Sequence, residues 1–112
     1  MKSAGNNFIT KLSSVPPVTI DLPISSGTAA KITLTDEMTA ILNIYVAADF
    51  YWTVSDADAT AATRIASDAT RGKYPSGFYN FEISAVHDYN LYILSQGSAV
   101  TDGISYSYSE FA

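Results

Sequence analysis

Residues 41–54, ILNIYVAADFYWTV, decide how this chain folds. Leu42, Ile44 and Val46 fall on one side of an extended backbone, and Ile41, Asn43 and Tyr45 on the other. A period of two marks a strand, because successive side chains of a pleated backbone point to opposite faces. Phe50, Trp52 and Val54 alternate with Tyr51 and Thr53 in the same way. Ala47-Ala48-Asp49 leaves room only for a tight connection, so the two runs predict a β-hairpin.

Upstream, Val18, Ile20 and Leu22 alternate with Thr19, Asp21 and Pro23. Prolines cannot donate to a ladder, so this strand is expected at a sheet edge. Ser25-Ser26-Gly27 is a turn, Ala30–Thr35 a short second strand, and Asp36-Glu37 a polar corner. Downstream, residues 55–73 are rich in Ala, Thr and Asp, with Ile65 the sole large apolar residue. No apolar stripe recurs there at helical spacing, so a long loop with at most one helical turn is expected. Tyr74-Pro75-Ser76-Gly77 reads as a turn, followed by strands over 78–84, 89–94 and 104–109. The last is the clearest alternation, with Ile104, Tyr106 and Tyr108 inward and Ser105, Ser107 and Ser109 outward. About seven or eight short strands with turns every 8–12 residues predict an all-β antiparallel sandwich or jelly roll.

A chain of 112 residues has the size of one domain. Residues 1–14 are polar with isolated apolar side chains at Phe8, Ile9 and Leu12, and read as a flexible arm ahead of a single domain over 15–112. They contain no continuous apolar run of the kind a signal peptide needs. The most apolar stretch, residues 40–54, is broken by Asn43 and Asp49 and is too short and polar to span a bilayer.

Charged residues make up 15% of the chain, against about 25% in an average globular protein. So sparse a charge does little to oppose self-association, which favours an oligomer. Net charge is −5 and the six cations are scattered, so no basic face exists for a nucleic-acid backbone. The absence of cysteine removes disulfides, thiolate metal sites and a cysteine nucleophile.

Catalytic patterns are equally thin. His87-Asp88 has no nucleophile context, such as G-x-S-x-G, to act on. Asp56-Ala57-Asp58 opens like a calcium loop, but Ala61 stands at the position of the required Gly and Ser67 at that of the bidentate Glu. Asp36 and Glu37 are adjacent and point apart, so they cannot face each other across a glycosidic bond. The six glycines are isolated and form no phosphate cradle. The expectation is a non-enzymatic protein with no catalytic residue, metal or cofactor.

Aromatic residues say more. Phe50, Trp52, Phe81, Tyr106 and Tyr108 are placed to face inward as core. Tyr45, Tyr51 and Tyr92 fall on opposite faces and exceed what one core needs. Tyrosine joins apolar area to a hydroxyl and is enriched at interfaces. With Phe8, Ile9 and Leu12 of the arm, these three are the candidate interface residues. Tyr51, Trp52 and Tyr92 could alternatively stack against sugar rings, which would make the domain a receptor- or carbohydrate-binding head.

The order of these segments resembles a group of small virion proteins of tailed bacteriophages. The likeness runs from Ile32 to Ser109: a short ITL strand, then ILNIYVAADFYWTVS, an Ala/Thr/Asp loop, YPSGFYNFEIS, YNLYILSQGSA and a Ser/Tyr-alternating tail. The resemblance implies a β-sandwich, a capsid cement or decoration role, a homotrimer, and residence in a virion assembled in the host cytoplasm. The implied partner is the major capsid protein or another virion protein, with neither nucleic acid nor membrane contacted directly. Removing residues 1–14 is then expected to weaken binding to particles while leaving the far-UV circular dichroism of the domain unchanged. Unaltered particle occupancy would exclude a clamping arm.

Overall fold

The computed structural model describes residues 20–34, 39–84 and 89–110. Phe8, Ile9 and Leu12 of the arm, the Asp36-Glu37 corner and the His87-Asp88 turn lie outside the described residues. The elements in chain order are β1 (Ile20–Ile24), β2 (Ala30–Leu34), β3 (Thr39–Val46), β4 (Phe50–Ser55), α1 (Asp58–Ala66), β5 (Gly72–Tyr74), β6 (Gly77–Ser84), β7 (Tyr89–Ser95) and β8 (Val100–Glu110). The strands form two antiparallel sheets of four: sheet A in the order β1-β8-β3-β6, and sheet B in the order β2-β7-β4-β5.

The pairs nest. β1 takes β8, β2 takes β7, β3 takes β6 and β4 takes β5. One long hairpin folded double and rolled up gives this order, with β3–β8 and β4–β7 as the pairs that rolling adds. This is the eight-stranded jelly roll. The all-β sandwich expected from the alternation is therefore the fold observed, with β1 and its Pro23 at an edge.

The predicted hairpin over residues 41–54 is not: β3 and β4 lie in different sheets and do not pair. Val46 and Phe50 bracket the connection and both are 0% exposed. Carrying the second run across to the facing sheet buries the two apolar faces against each other, which a hairpin within one sheet would not do. The connection is tied at both ends. Ala47 donates its N–H to the Gly103 carbonyl at 2.8 Å, and Gln96 donates to the Asp49 carbonyl at 2.9 Å.

Residues 55–73 also differ from the expected loop. Residues 58–66 form α1, whose buried stripe is just Ala61 and Ile65, one turn apart. Burying one isoleucine is worth about 1.5–3 kcal/mol, enough to hold a helix that would be marginal alone. Asp58 in the first turn and Arg64 in the last complement the helix dipole. Its terminal carbonyls are satisfied locally, Arg64 O by the Ser67 N–H and the Thr70 hydroxyl, and Ile65 O by Arg71. After α1, Gly72–Tyr74 becomes β5 instead of continuing the loop into a turn.

The core between the sheets is aliphatic: Ile24, Ile32, Leu34, Leu42, Ile44, Val46, Leu91, Ile93 and Ile104, with Phe50. Where β5 lies near β6, aromatic rings close the seam. Tyr74 stacks on Tyr79 at 4.8 Å and 9°, and Phe81 packs on Trp52 at 5.5 Å. Phe50 meets Tyr74 and Tyr79 edge-on at 5.9 and 5.5 Å. Trp52, Phe81, Tyr106 and Tyr108 all pack partly buried against the core, as the alternation predicts. Along the β1–β8 pair, Thr101, Asp102 and Gly103 together oppose Pro23 alone. This bulge sits where proline offers no N–H, and Asp102 takes the left-handed conformation (φ 55°) that Asp tolerates better than most residues.

Gly72 pairs with Trp52 across β4 and β5, and any Cβ there would fall inside the indole. A Gly72→Ala variant is expected to lose about 1–3 kcal/mol of stability, read from the urea midpoint at constant m value. An unchanged midpoint would mean that the seam opens without cost.

Candidate interaction surface

The two outer sheet faces are used differently. On sheet B the face is taken up within the chain. Ala61 and Ile65 of α1 bury against Tyr92, with Ala29, Tyr51 and Leu94 around them. Tyr92 is 4% exposed; its hydroxyl donates to Asp58 Oδ1 at 2.5 Å and accepts from Asn90 Nδ2 at 3.2 Å. Burial first, then the bond to Asp58, raises the Tyr92 pKa, so the phenol stays neutral and holds the helix start. Tyr51 is half-buried, and the Arg71 guanidinium lies 3.7 Å above its ring. Arg71 also pairs with Asp68 at 2.5 Å and caps Ile65 O, fixing the helix end to the sheet.

On sheet A the outer face is open among the described residues. Its rows run across the strands as Asp21, Ser105, Tyr45 and Phe78, then Ser107, Asn43 and Asn80, then Ile41 and Glu82. Short polar partners hold the rows together. Ser105 donates to Asp21 at 2.7 Å, and Asn80 Nδ2 donates to Asn43 Oδ1 at 2.7 Å. On this polar floor stand two aromatic rings, Tyr45 at 39% and Phe78 at 78% exposure, their centroids 5.0 Å apart. An aromatic pair this exposed marks a contact site more strongly than one scattered side chain does.

Of the three proposed residues that are described, Tyr45, Tyr51 and Tyr92, Tyr45 alone lies on the open face. Tyr51 and Tyr92 do point outward from their sheet, but Arg71 and α1 cover them. Trp52 faces the seam, so Tyr51, Trp52 and Tyr92 do not share one exposed platform. Phe78 is the residue sequence reasoning missed. Its partner across the β3–β6 pair is Tyr45, and that register was the signal that could have found it.

Asp58 is engaged by Tyr92 and lies 4.0 Å from Lys31 in an exposed, weakly stabilising pair. Among the described residues no group of three or more His, Asp or Glu side chains gathers as a metal would require. No helix among them is long and apolar enough to cross a membrane. What fold and surface define is a jelly-roll domain with one covered face and one face that is open among the described residues. No protein-family model, curated protein or solved structure matches the chain.

Two further tyrosines join the sheets and set a pH limit. Tyr108 on sheet A donates to the Thr33 carbonyl on sheet B at 3.1 Å, with the Tyr106 ring edge-on at 5.8 Å. Burial, and then the neighbouring Tyr106, pushes the Tyr108 pKa from 10.0 up to about 12; burial also raises Tyr106. The folded state therefore holds these protons after the unfolded chain has released them. Their contribution is complete below pH 10 and disappears as pH climbs towards about 12. The melting temperature should fall across that window, and Tyr108→Phe should make the fall shallower. An identical decline in the variant would assign the alkaline sensitivity elsewhere.

Proposed function

We propose that this chain is a non-enzymatic structural protein of a virion, a cement or decoration protein that docks on a capsid protein through the outer face of sheet A. The observation that carries the reading is the exposed Tyr45–Phe78 pair on the largely polar outer face of sheet A, opposite a sheet whose outer face α1 already occupies. The jelly roll recurs among viral capsid proteins, a fold-level analogy that agrees with the sequence resemblance. Asp21 and Glu82 flank the aromatic pair, so the matching surface is an apolar depression rimmed by N–H donors or cations.

A cosedimentation assay with empty capsids tests this. Truncating an interface aromatic at a hot spot costs about 2 kcal/mol, roughly thirty-fold in affinity. The Tyr45→Ser/Phe78→Ser double variant should lose at least that much particle affinity, with its far-UV spectrum intact. Full occupancy by the double variant would reject this face as the docking surface.

A further inference from the structure

Each sheet ends in two edge strands, and an edge is a row of unpaired N–H and C=O groups that invites another strand. Three of the four edges carry the guards that proteins use against such pairing. β1 contains Pro23 and faces a bulge. β2 has five residues with exposed Lys31 and Thr33, and β5 has three residues with Lys73 exposed. β6 has only one exposed charge, Glu82. It runs for eight residues, GFYNFEIS, paired to β3 without a bulge and without Pro or Lys, and among the described residues no strand lies on its far side.

We infer that β6 is a self-association edge, pairing antiparallel with β6 of a second copy about a two-fold axis at Asn80 to make one continuous eight-stranded sheet. The sequence of β6 fits itself in this register. Opposite residues of an antiparallel pair share a face, so Asn80 meets Asn80 of the second copy, Tyr79 meets Phe81, and Phe78 meets Glu82. On the outer face, the Asn43–Asn80 amide bond becomes half of a four-amide ladder running through the axis. On the inner face, Tyr79 and Phe81 are left half-buried at the seam, and each gains an aromatic partner. The one charged side chain of the strand, Glu82, faces a ring and not a second carboxylate.

The occupant that these features select is a second copy, because the complementarity is between the strand and itself, which only a two-fold contact satisfies. A trimer would need β6 to meet a different surface. The pairing would also join the outer faces of two sheets A, setting two Tyr45–Phe78 pairs on one surface. It does not rest on the virion reading: a monomeric protein that still binds particles would overturn the dimer alone.

A strip one strand wide falls at the small end of specific interfaces, below about 1,200 Å² in total, so the association should depend on concentration. Sedimentation equilibrium from low micromolar to submillimolar protein should show the mass rising from 12.0 kDa to twice that value. Asn80→Lys and Asn80→Asp each place like charges at the axis and should remain monomeric alone, whereas their equimolar mixture should recover the dimer. Because the chain has no cysteine, Asn80→Cys supplies a second test: oxidation should cross-link it to a dimer, while Ser107→Cys, two strands away, should not cross-link. A wild-type monomer at submillimolar concentration, an oligomer that survives Asn80→Lys, or equal cross-linking of the two cysteine variants would overturn the inference.

Discussion

Two fully buried side chains either side of a three-residue corner, Val46 and Phe50, constrain everything else. Both must leave water, and the corner is too short for either strand to reach a second layer except by passing directly into it. The chain therefore changes sheet between β3 and β4, and the remaining pairs follow from that crossing. β6 returns to β3, β7 to β4, and β8 fills the gap between β1 and β3. Dispersion and apolar burial across the seam, not local turn chemistry, select the roll over a meander.

Much of this was legible from the period of two alone. Leu42, Ile44 and Val46 are buried inward, Tyr45 stands outward, and Tyr106 and Tyr108 pack on the core, whereas Tyr92 on the outward face of β7 is buried because α1 covers it. What alternation cannot encode is which sheet a strand joins. A hairpin and a crossing need the same residues over 41–54, and only the burial of both flanks separates them. The helix was hidden for a different reason. Its stripe is one alanine and one isoleucine, too narrow to register as periodicity yet sufficient because Tyr92, Leu94 and Tyr51 supply the rest of the contact.

That small helix also decides which surface is open. Without α1, Tyr51 and Tyr92 would stand on the outer face of sheet B much as Tyr45 and Phe78 stand on sheet A. Arg71 and the Asp58–Tyr92 bond turn two potential contact residues into internal ones. The candidate surface was thus half legible: Tyr45 could be named from its place on β3, but Phe78 required the β3–β6 register. Tyr51 and Tyr92 could be set aside only once their covers were visible.

The nested pairing has a consequence for how the protein folds. β8, the last of the described strands, lies between β1 and β3, so sheet A stays in two pieces until that strand pairs. The bond from Ser105 to Asp21 spans 84 positions of sequence, a separation that places such contacts among the slowest to form. Until then the β3–β6 pair waits with its β8-side edge uncovered, the kind of unpaired edge that makes a partly folded chain prone to aggregate. Deleting β8 would therefore remove the middle of a sheet, a far greater injury than losing an edge strand.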